Sequence, residues 1–242
     1  MVKKSIVVLA NSYKPGGRCI AGKEVFEHAD GKWDLTGNWY RPLSSGDANH
    51  GSVTPIHHVI NSIDIKLLDI ITIDFLHHAP DIGQPENWLF DESTSWVNEG
   101  RFDESVCPML TDSPDDLWFD NSDGVKIHEV GVAFEEAGLI QSSLVFIKPE
   151  EFKIYLSNDY NSWQYKNEKK SKASFSYNGR NYSGISMTDP VVREVLAAQY
   201  PEPDGTHVVA TLPKGDDYQI CVSLSPIFEN TGKHYKLVAS VI

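Results

Sequence analysis

The sequence predicts a mostly β protein. Short β-rich runs alternate with clusters of Gly, Pro, Asn and Asp over most of the 242 residues, and a helical pattern occurs in one segment. Hydrophobic residues make up 40% and charged residues 23% of the chain, which excludes a wholly disordered, collagenous or coiled-coil protein. The length fits one large β domain or two small ones, and the order of the elements favours two.

The first half is predicted to form a barrel over residues 1–78. Strands are expected where β-branched and aromatic residues lie between turn-forming clusters, at residues 5–10, 19–26, 38–43 and 67–76. Residues 79–136 then hold 15 Asp and Glu residues but only Arg101 and Lys126 as basic ones. This charge repels phosphate within a Debye length, about 8 Å at physiological salt. We therefore predict a solvated acidic connector that faces away from any polyanion and packs, if anywhere, on the first barrel.

The second half, residues 137–242, carries the clearer strand pattern. A long first strand is expected over residues 143–156, interrupted near Pro149. Two further runs, 171–177 and 180–187, flank Asn178-Gly179, a dipeptide that tolerates the positive φ angles of a type I′ hairpin turn.

A single helix is predicted after this hairpin. Asp189 is a favourable N-cap, and Pro190 suits the first helical position, so the helix is expected over residues 189–199. Strands at 218–224 and 235–242 complete the order strand, strand, strand, helix, strand, strand. This order is typical of the OB-fold, a five-stranded Greek-key barrel. The predicted architecture is two OB-like barrels joined by the acidic connector, with one short helix in the second barrel.

Several short segments, spread over nearly the whole chain, form a combination that is specific as a set. They are residues 10–12, 14–22, Trp39 with Arg41-Pro42, 84–88, 142–144, 188–190, 221–224 and 235–239. In this order the segments resemble those of a bacterial family described as the dual OB-containing domain. The resemblance implies two barrels, a ligand or nucleic-acid role and a place in bacterial conflict systems. It implies no reaction and no catalytic residues.

A glycine-rich segment matches the phosphate-binding frame G-x-x-x-x-G-K from Gly17 to Lys23. Glu24 stands where Ser or Thr holds Mg²⁺ in that frame, and the segment is predicted to be a strand instead of the start of a helix. We therefore interpret Pro15-Gly16-Gly17 as a tight turn between two strands.

Basic and aromatic residues nevertheless surround this turn. Lys14 and Arg18 flank it, and Arg41 follows Trp39 two residues later, so these side chains could meet at one mouth of the first barrel. Arg matches phosphate or carboxylate with two parallel hydrogen bonds. The alternatives are an anion-binding mouth formed by Lys14, Arg18, Trp39 and Arg41, or surface charges and internal ion pairs.

Aromatic and basic residues also alternate between residues 155 and 182 in the second barrel. Within the hairpin, Phe175, Tyr177 and Tyr182 are expected to share one face, which the apolar alternation predicts to be the barrel interior. The candidate ligand-binding residues are those of the loop between the first two strands, a recognition loop of OB-folds. They are Tyr160, Trp163, Tyr165, Lys166, Lys169 and Lys170.

The remaining features indicate no catalytic residue, metal site or cofactor. His57-His58 and His77-His78 lack further ligands, and adjacent strand residues point to opposite faces. Three cysteines without C-x-x-C spacing support neither a disulfide framework nor a zinc ribbon, so we expect a cytoplasmic protein. No apolar run reaches the roughly 18 residues of a membrane span, so no membrane association is expected.

Three functions remain open at this stage. The favoured hypothesis is a non-catalytic binding module for single-stranded nucleic acid or a small anionic, nucleotide-like ligand. The alternatives are a protein-interaction subunit that docks an effector partner through the acidic connector and exposed aromatics, and an enzyme of unidentified chemistry. Binding to phosphates weakens steeply with salt, whereas an apolar protein interface does not, so salt dependence separates the first two.

Overall fold

A computed structural model describes residues 1–46, 51–118, 131–133, 139–162, 164–203, 205–215 and 217–242. The strands of the first half are β1 (Val2–Lys14), β2 (Gly17–Glu27), β3 (Trp33–Leu43), β4 (Val59–Ile60), β5 (Ile63–Asp64), β6 (Asp69–His78), β7 (Asn87–Phe90) and β8 (Val97–Arg101). Those that follow are β9 (Gly131–Ala133), β10 (Leu144–Ile147), β11 (Glu150–Asn161), β12 (Lys166–Tyr177), β13 (Arg180–Met187), β14 (His207–Val209), β15 (Ile220–Phe228) and β16 (Lys233–Val241).

The described helices are short. They are α1 (Pro55–His58), α2 (Cys107–Leu110) and α3 (Pro190–Val195), with 3₁₀ turns at Glu104–Val106 and Ala197–Gln199. Asp189 caps α3 as predicted, because its side chain accepts hydrogen bonds from the N–H groups of Val191 and Val192. None of the helices in the described part of the chain is long and apolar enough to cross a membrane.

The first sheet closes into a five-stranded barrel. Its strands follow the order β1-β2-β3-β7-β6, and β6 pairs back to β1. Within the ring, β3 and β7 pair in parallel, and they are the third and fifth of its five strands in chain order. All other neighbouring strands of the ring are antiparallel. β8 extends the sheet from β6 outside the ring.

The acidic segment is a structural part of this first barrel. β7 and β8 both lie within residues 79–136, and β7 supplies the fifth strand that the first 78 residues lack. Residues 87–90 and 97–101 are therefore strands of the sheet, and this part of the segment is not a free connector. The sequence did not predict β7, because this strand has only four residues and lies in a run dominated by acidic and turn-forming residues.

The second barrel has the same order of strands. β10 and β11 together form its first strand, interrupted at residues 148–149 as predicted, and β12, β13, β15 and β16 follow. β13 and β16 pair in parallel, β15 joins β16 to β10, and β14 adds to β11 at the edge. Both halves therefore have the OB-like topology that the sequence predicts.

The hairpin of the second barrel has the register expected from Asn178-Gly179. These two residues have φ angles of 49° and 72°, and Phe175 pairs with Tyr182 across the turn. Phe175 and Tyr182 are buried and stacked, with ring centroids 5.1 Å apart. The aromatic face is the barrel interior, as predicted.

Three apolar clusters build the core. Two fill the interiors of the first and second barrels. The third lies between the barrels and draws from both, with Val7, Leu9 and Ala21 from one side packed with Phe146 and Cys221 from the other. The two barrels therefore share a continuous buried interface.

The glycine-rich segment has a structural role. Residues 17–27 form β2, so no helix begins behind the turn and the phosphate-binding interpretation is excluded. A Cβ on Gly17 would overlap the carbonyl oxygen of Val53, and one on Gly22 that of Val7. The lysine of the frame, Lys23, is buried and bound to Asp112. Close backbone approach explains both glycines.

We expect the cysteines to differ sharply in reactivity. Burial raises the pKa of Cys107 to about 11 and also raises that of the fully buried Cys221, whereas Cys19 is half-buried. Because the thiolate is the reactive form, a thiol reagent added to the native protein should label Cys19 first. Counting modified thiols over time with and without denaturant checks this, and rapid labelling of all three in the native protein would contradict it.

Candidate nucleic-acid interface

A two-stranded hairpin projects from the second barrel. β11 and β12 are both 12 residues long, but β12 pairs with β13 only from Lys172 to Tyr177. The part of β12 before Lys172 pairs with β11 alone, up to Asn161 opposite Lys166. The predicted recognition loop, residues 157–171, is therefore mostly strand with a short turn, which corrects the loop expected from the sequence.

The register divides the side chains of this hairpin between two faces. Cross-strand partners share a face, and successive pairs alternate between faces. One face carries the pairs Asn158–Lys169 and Tyr160–Asn167; we call it the tyrosine face. The opposite face carries the pairs Ser157–Lys170, Asp159–Glu168 and Asn161–Lys166; we call it the mixed-charge face.

The tyrosine face combines an exposed aromatic ring with a cation. Tyr160 is 62% exposed, and Lys169 is also exposed, with its ammonium 5.1 Å from the ring centre of Tyr200. The other members of this face are the amides Asn158 and Asn167, and neither of its pairs carries a carboxylate. Anions approaching this face therefore meet a cation and neutral hydrogen-bonding groups.

The mixed-charge face is largely self-compensated. The ammonium of Lys170 lies 4.0 Å from a carboxylate oxygen of Asp159 and 3.9 Å from one of Glu168. Asn161 also donates a hydrogen bond of 2.9 Å to Glu168. Exposed pairs of this kind contribute little to stability, but they lower the positive potential that an anion would meet.

The turn adds a second exposed aromatic residue. Tyr165 is 83% exposed and has a φ angle of 51°, a left-handed conformation that places it at the bend before the exposed Lys166. Trp163, the remaining aromatic of the predicted set, lies outside the described residues. The hairpin thus brings Tyr160, Tyr165, Lys166 and Lys169 to its distal half and pairs Lys170 with acids.

The predicted anion mouth of the first barrel is not formed as a group. Arg41 is only 1% exposed, and its guanidinium lies 3.0 Å from a Glu86 carboxylate oxygen and donates to Ser143 at 2.9 Å. Trp39 is half-buried at the interface between the barrels and donates to Asp112. Both residues therefore serve internal contacts, and their inclusion in an open mouth was wrong.

Lys14 and Arg18 also point away from each other. Lys14 pairs with Gly17 and Tyr13 with Arg18, so the two basic side chains lie on opposite faces of the β1–β2 ribbon. Burial lowers the pKa of Lys14, and the nearby Arg41 lowers it further. Arg18 stacks on Tyr13 at 4.6 Å and faces a cavity between the barrels.

The histidine pairs have separate structural partners. His57 and His58 lie in α1 and not in a strand, where His57 packs edge-on against Phe90 and His58 bonds to Asp64. His77 and His78 end β6 and are exposed. Within the described ranges, no three His, Cys, Asp or Glu side chains are grouped so that they could hold a metal ion.

Sequence reasoning missed the polar contacts that join the barrels. Glu86 accepts from both the backbone N–H and the hydroxyl of Ser143, besides pairing with Arg41. Asp112 binds Lys23 at 2.5 Å and accepts from the N–H of Phe146 at 2.8 Å. The signal was present, since Arg41, Glu86 and Ser143 all lie in the segments that carry the family resemblance, but their separation in sequence concealed the network.

Comparison with known proteins places the chain in a family. A chain from a replication protein A heterotrimer bound to single-stranded DNA is similar over 92% of this chain, with 11% identity and a TM-score of 0.34. The match spans 44% of the length of the replication protein A chain. No curated protein matches the sequence significantly. The family model described as the dual OB-containing domain matches residues 4–241, and the chain therefore belongs to the dual OB-containing domain family.

Proposed function

We propose that this protein binds single-stranded nucleic acid, without strong sequence preference, through the projecting hairpin of its second barrel. The observation that carries the proposal is the composition of the tyrosine face. It presents an exposed ring and an exposed ammonium with no carboxylate in the same pairs. This combination suits a base stacked on an aromatic ring beside a neutralised phosphate.

The position of the hairpin supports the same function. It connects the first two strands of an OB-like barrel, and OB-folds use this connection and the neighbouring strands to bind oligonucleotides. Stacking tolerates any sequence, because every base has a π face, and contributes about 1–3 kcal/mol per base. Two exposed tyrosines, Tyr160 and Tyr165, therefore offer stacking surfaces for two bases, and a weak complex is expected.

The projecting hairpin carries a small positive charge within an otherwise acidic chain. The whole chain has a formal charge of −13, yet residues 157–171 of the hairpin contain three basic and two acidic residues. A polyanion is repelled by most of the molecular surface and attracted locally here. The expected complex is accordingly sensitive to salt.

Replacing Tyr160 with alanine should weaken binding of single-stranded DNA by about 5- to 150-fold, because one stacking platform is lost. The measurement is fluorescence anisotropy with a labelled oligothymidylate of about 15 nucleotides, near the upper site size of an OB-fold. Tyr155→Ala is the matched control, since Tyr155 is also exposed but lies on the opposite face of β11. Its dissociation constant should equal that of the wild type.

A second pair of variants tests the cation with equal change of charge. Lys169→Gln should weaken binding and reduce the slope of affinity against salt by about 0.7, the value for one phosphate contact on a single strand. Lys170→Gln removes the same charge from a lysine already close to Asp159 and Glu168, so we expect a smaller effect. Equal effects of the two variants contradict the assignment to the tyrosine face.

The absence of any binding by the wild-type protein at low salt overturns the proposed function. The alternative of a protein that docks an effector partner is then favoured, and its complex is expected to persist at high salt. Binding that is unchanged in all four variants retains the function and excludes the hairpin as its site.

A further inference from the structure

A cavity of about 660 Å³ lies between the two barrels. Its walls come from the β1–β2 ribbon and the segment around Ile65 on one side, and from α3, the loop around Leu212 and the C-terminal residue Ile242 on the other. Cavities that bind small molecules have volumes of roughly 300–1,000 Å³ and occur preferentially at domain interfaces. The cavity therefore has the size and the location of a ligand site, and it is separate from the projecting hairpin.

One wall of the cavity is apolar although it is open to solvent. Val191 and Val195 are 60% and 61% exposed and lie four residues apart on one side of α3, where both line the cavity. Pro190, Leu212 and Pro213 continue this wall. An apolar ligand body would remove this surface from water, which is favourable.

The opposite wall holds two buried polar atoms whose hydrogen-bonding capacity is unused. The amide nitrogen of Asn11 donates to the carbonyl of Ile65 at 2.8 Å, which fixes the orientation of the side chain, while the Oδ1 atom is buried without a partner among the described residues. The Nη1 atom of Arg18 is likewise buried without a partner in the part of the chain that the structure describes. Buried polar groups are normally hydrogen-bonded, so these two atoms leave one acceptor and one donor available on this wall.

The charged residues that line the cavity balance in number: they are Arg18, Lys66, Arg101 and Lys214 against Asp64, Glu104, Asp189 and Glu194. The acidic lining residues Asp64, Glu104 and Asp189 bind His58, Lys214 and the N–H groups at the start of α3, respectively. By contrast, Arg18, Lys66 and Arg101 form no ion pair among the described residues. The attraction for an anion is therefore assigned to Arg18, whose buried Nη1 atom has unused hydrogen-bonding capacity, and not to a net positive charge of the lining.

We propose that this cavity binds a small organic anion that has an apolar body and a hydrogen-bond donor. Arg18 binds the anionic group, phosphate or carboxylate, and Asn11 Oδ1 accepts the donor. The apolar body lies against Val191 and Val195 of α3. The site is built from both barrels, so it depends on their packing and not on nucleic-acid binding at the hairpin.

The test uses 8-anilinonaphthalene-1-sulfonate, a fluorescent probe with an anionic group, an apolar body and one N–H donor. We expect saturable binding with one site on the native protein, weakened about tenfold or more by Arg18→Gln through loss of a charge-assisted hydrogen bond. Val191→Trp, at a position that is 60% exposed and outside the apolar core, should block the cavity and have a similar effect. Val209→Trp is the matched control, because Val209 is 56% exposed on β14, outside the cavity lining, and should leave binding unchanged.

Displacement distinguishes the sources of the anion. Displacement by adenosine monophosphate identifies a nucleotide-like ligand, and displacement by indole-3-acetate but not by the neutral indole-3-acetamide identifies a carboxylate; either result supports the proposal. Probe binding that neither anion displaces, or that is the same in Arg18→Gln and Val191→Trp as in the wild type, overturns it. Because these measurements use no oligonucleotide, they succeed or fail independently of the hairpin variants.

Discussion

Replacing Arg41 with methionine is expected to lower the free energy of unfolding by about 3–5 kcal/mol, the usual cost of removing one partner of a buried ion pair. Arg41 and Glu86 are both almost fully buried, and Glu86 would keep its charge in the interface between the barrels without its guanidinium partner. The contact with Ser143 at the start of the second barrel would be lost at the same time. Urea denaturation followed by circular dichroism measures the difference.

The control for this prediction is an exposed ion pair. Lys32 lies 3.1 Å from Asp30, and both side chains are more than half exposed, so Lys32→Met should cost about 0–1 kcal/mol. The double variant Arg41→Met with Glu86→Leu removes both buried charges and should regain part of the loss. A cost for Arg41→Met no greater than that for Lys32→Met would show that the buried pair does not join the barrels.

Replacing Gly22 with alanine is expected to destabilise the protein by about 3 kcal/mol, at the upper end of the range for overpacked cores. A Cβ at this position would overlap the carbonyl oxygen of Val7 and crowd the backbone of Val8. Because these are backbone atoms of β1, which forms ladders with both β2 and β6, rotation of a side chain cannot relieve the overlap. Thermal or chemical denaturation provides the measurement.

Gly37→Ala is the appropriate comparison for this variant. Gly37 has a φ angle of 80° and no atom near its Cβ direction, so alanine there costs only the strain of a left-handed conformation, about 1–2 kcal/mol. We expect the Gly22 variant to be the less stable of the two. The opposite order would mean that β1 shifts to accommodate the methyl group.

The OB-like order of the second barrel was predictable because its signals are local. Asn178-Gly179 determines a hairpin because both residues accept positive φ angles, and Asp189-Pro190 starts a helix because the side chain and the ring suit adjacent positions of its first turn. Alternating apolar residues also identified the buried aromatic face of the second barrel, because successive residues of a strand point to opposite faces. These effects act within a few residues and need no tertiary contact.

The candidate site was predicted in part. The sequence identified Tyr160, Tyr165, Lys166 and Lys169 as an aromatic and basic group, but it described their segment as a loop. Only the register of β11 against β12 assigned Lys169 to the face of Tyr160 and Lys170 to the face of Asp159 and Glu168. A shift of one residue would exchange these faces, and register depends on pairing across the hairpin.

The sequence by itself determined the β class, the order of elements in the second barrel, the turn at Asn178-Gly179 and the start of α3 at Asp189-Pro190. The tertiary structure decided the fifth strand of the first barrel, the internal role of Arg41 and the cavity between the barrels. Arg41 and Ser143 are 102 residues apart, and Glu86 and Ser143 are 57 apart, so their contact leaves no periodic trace in the sequence. A charged residue shows the same pattern of neighbours whether its partner is water, phosphate or a distant carboxylate, and only packing of the two barrels selects among these partners.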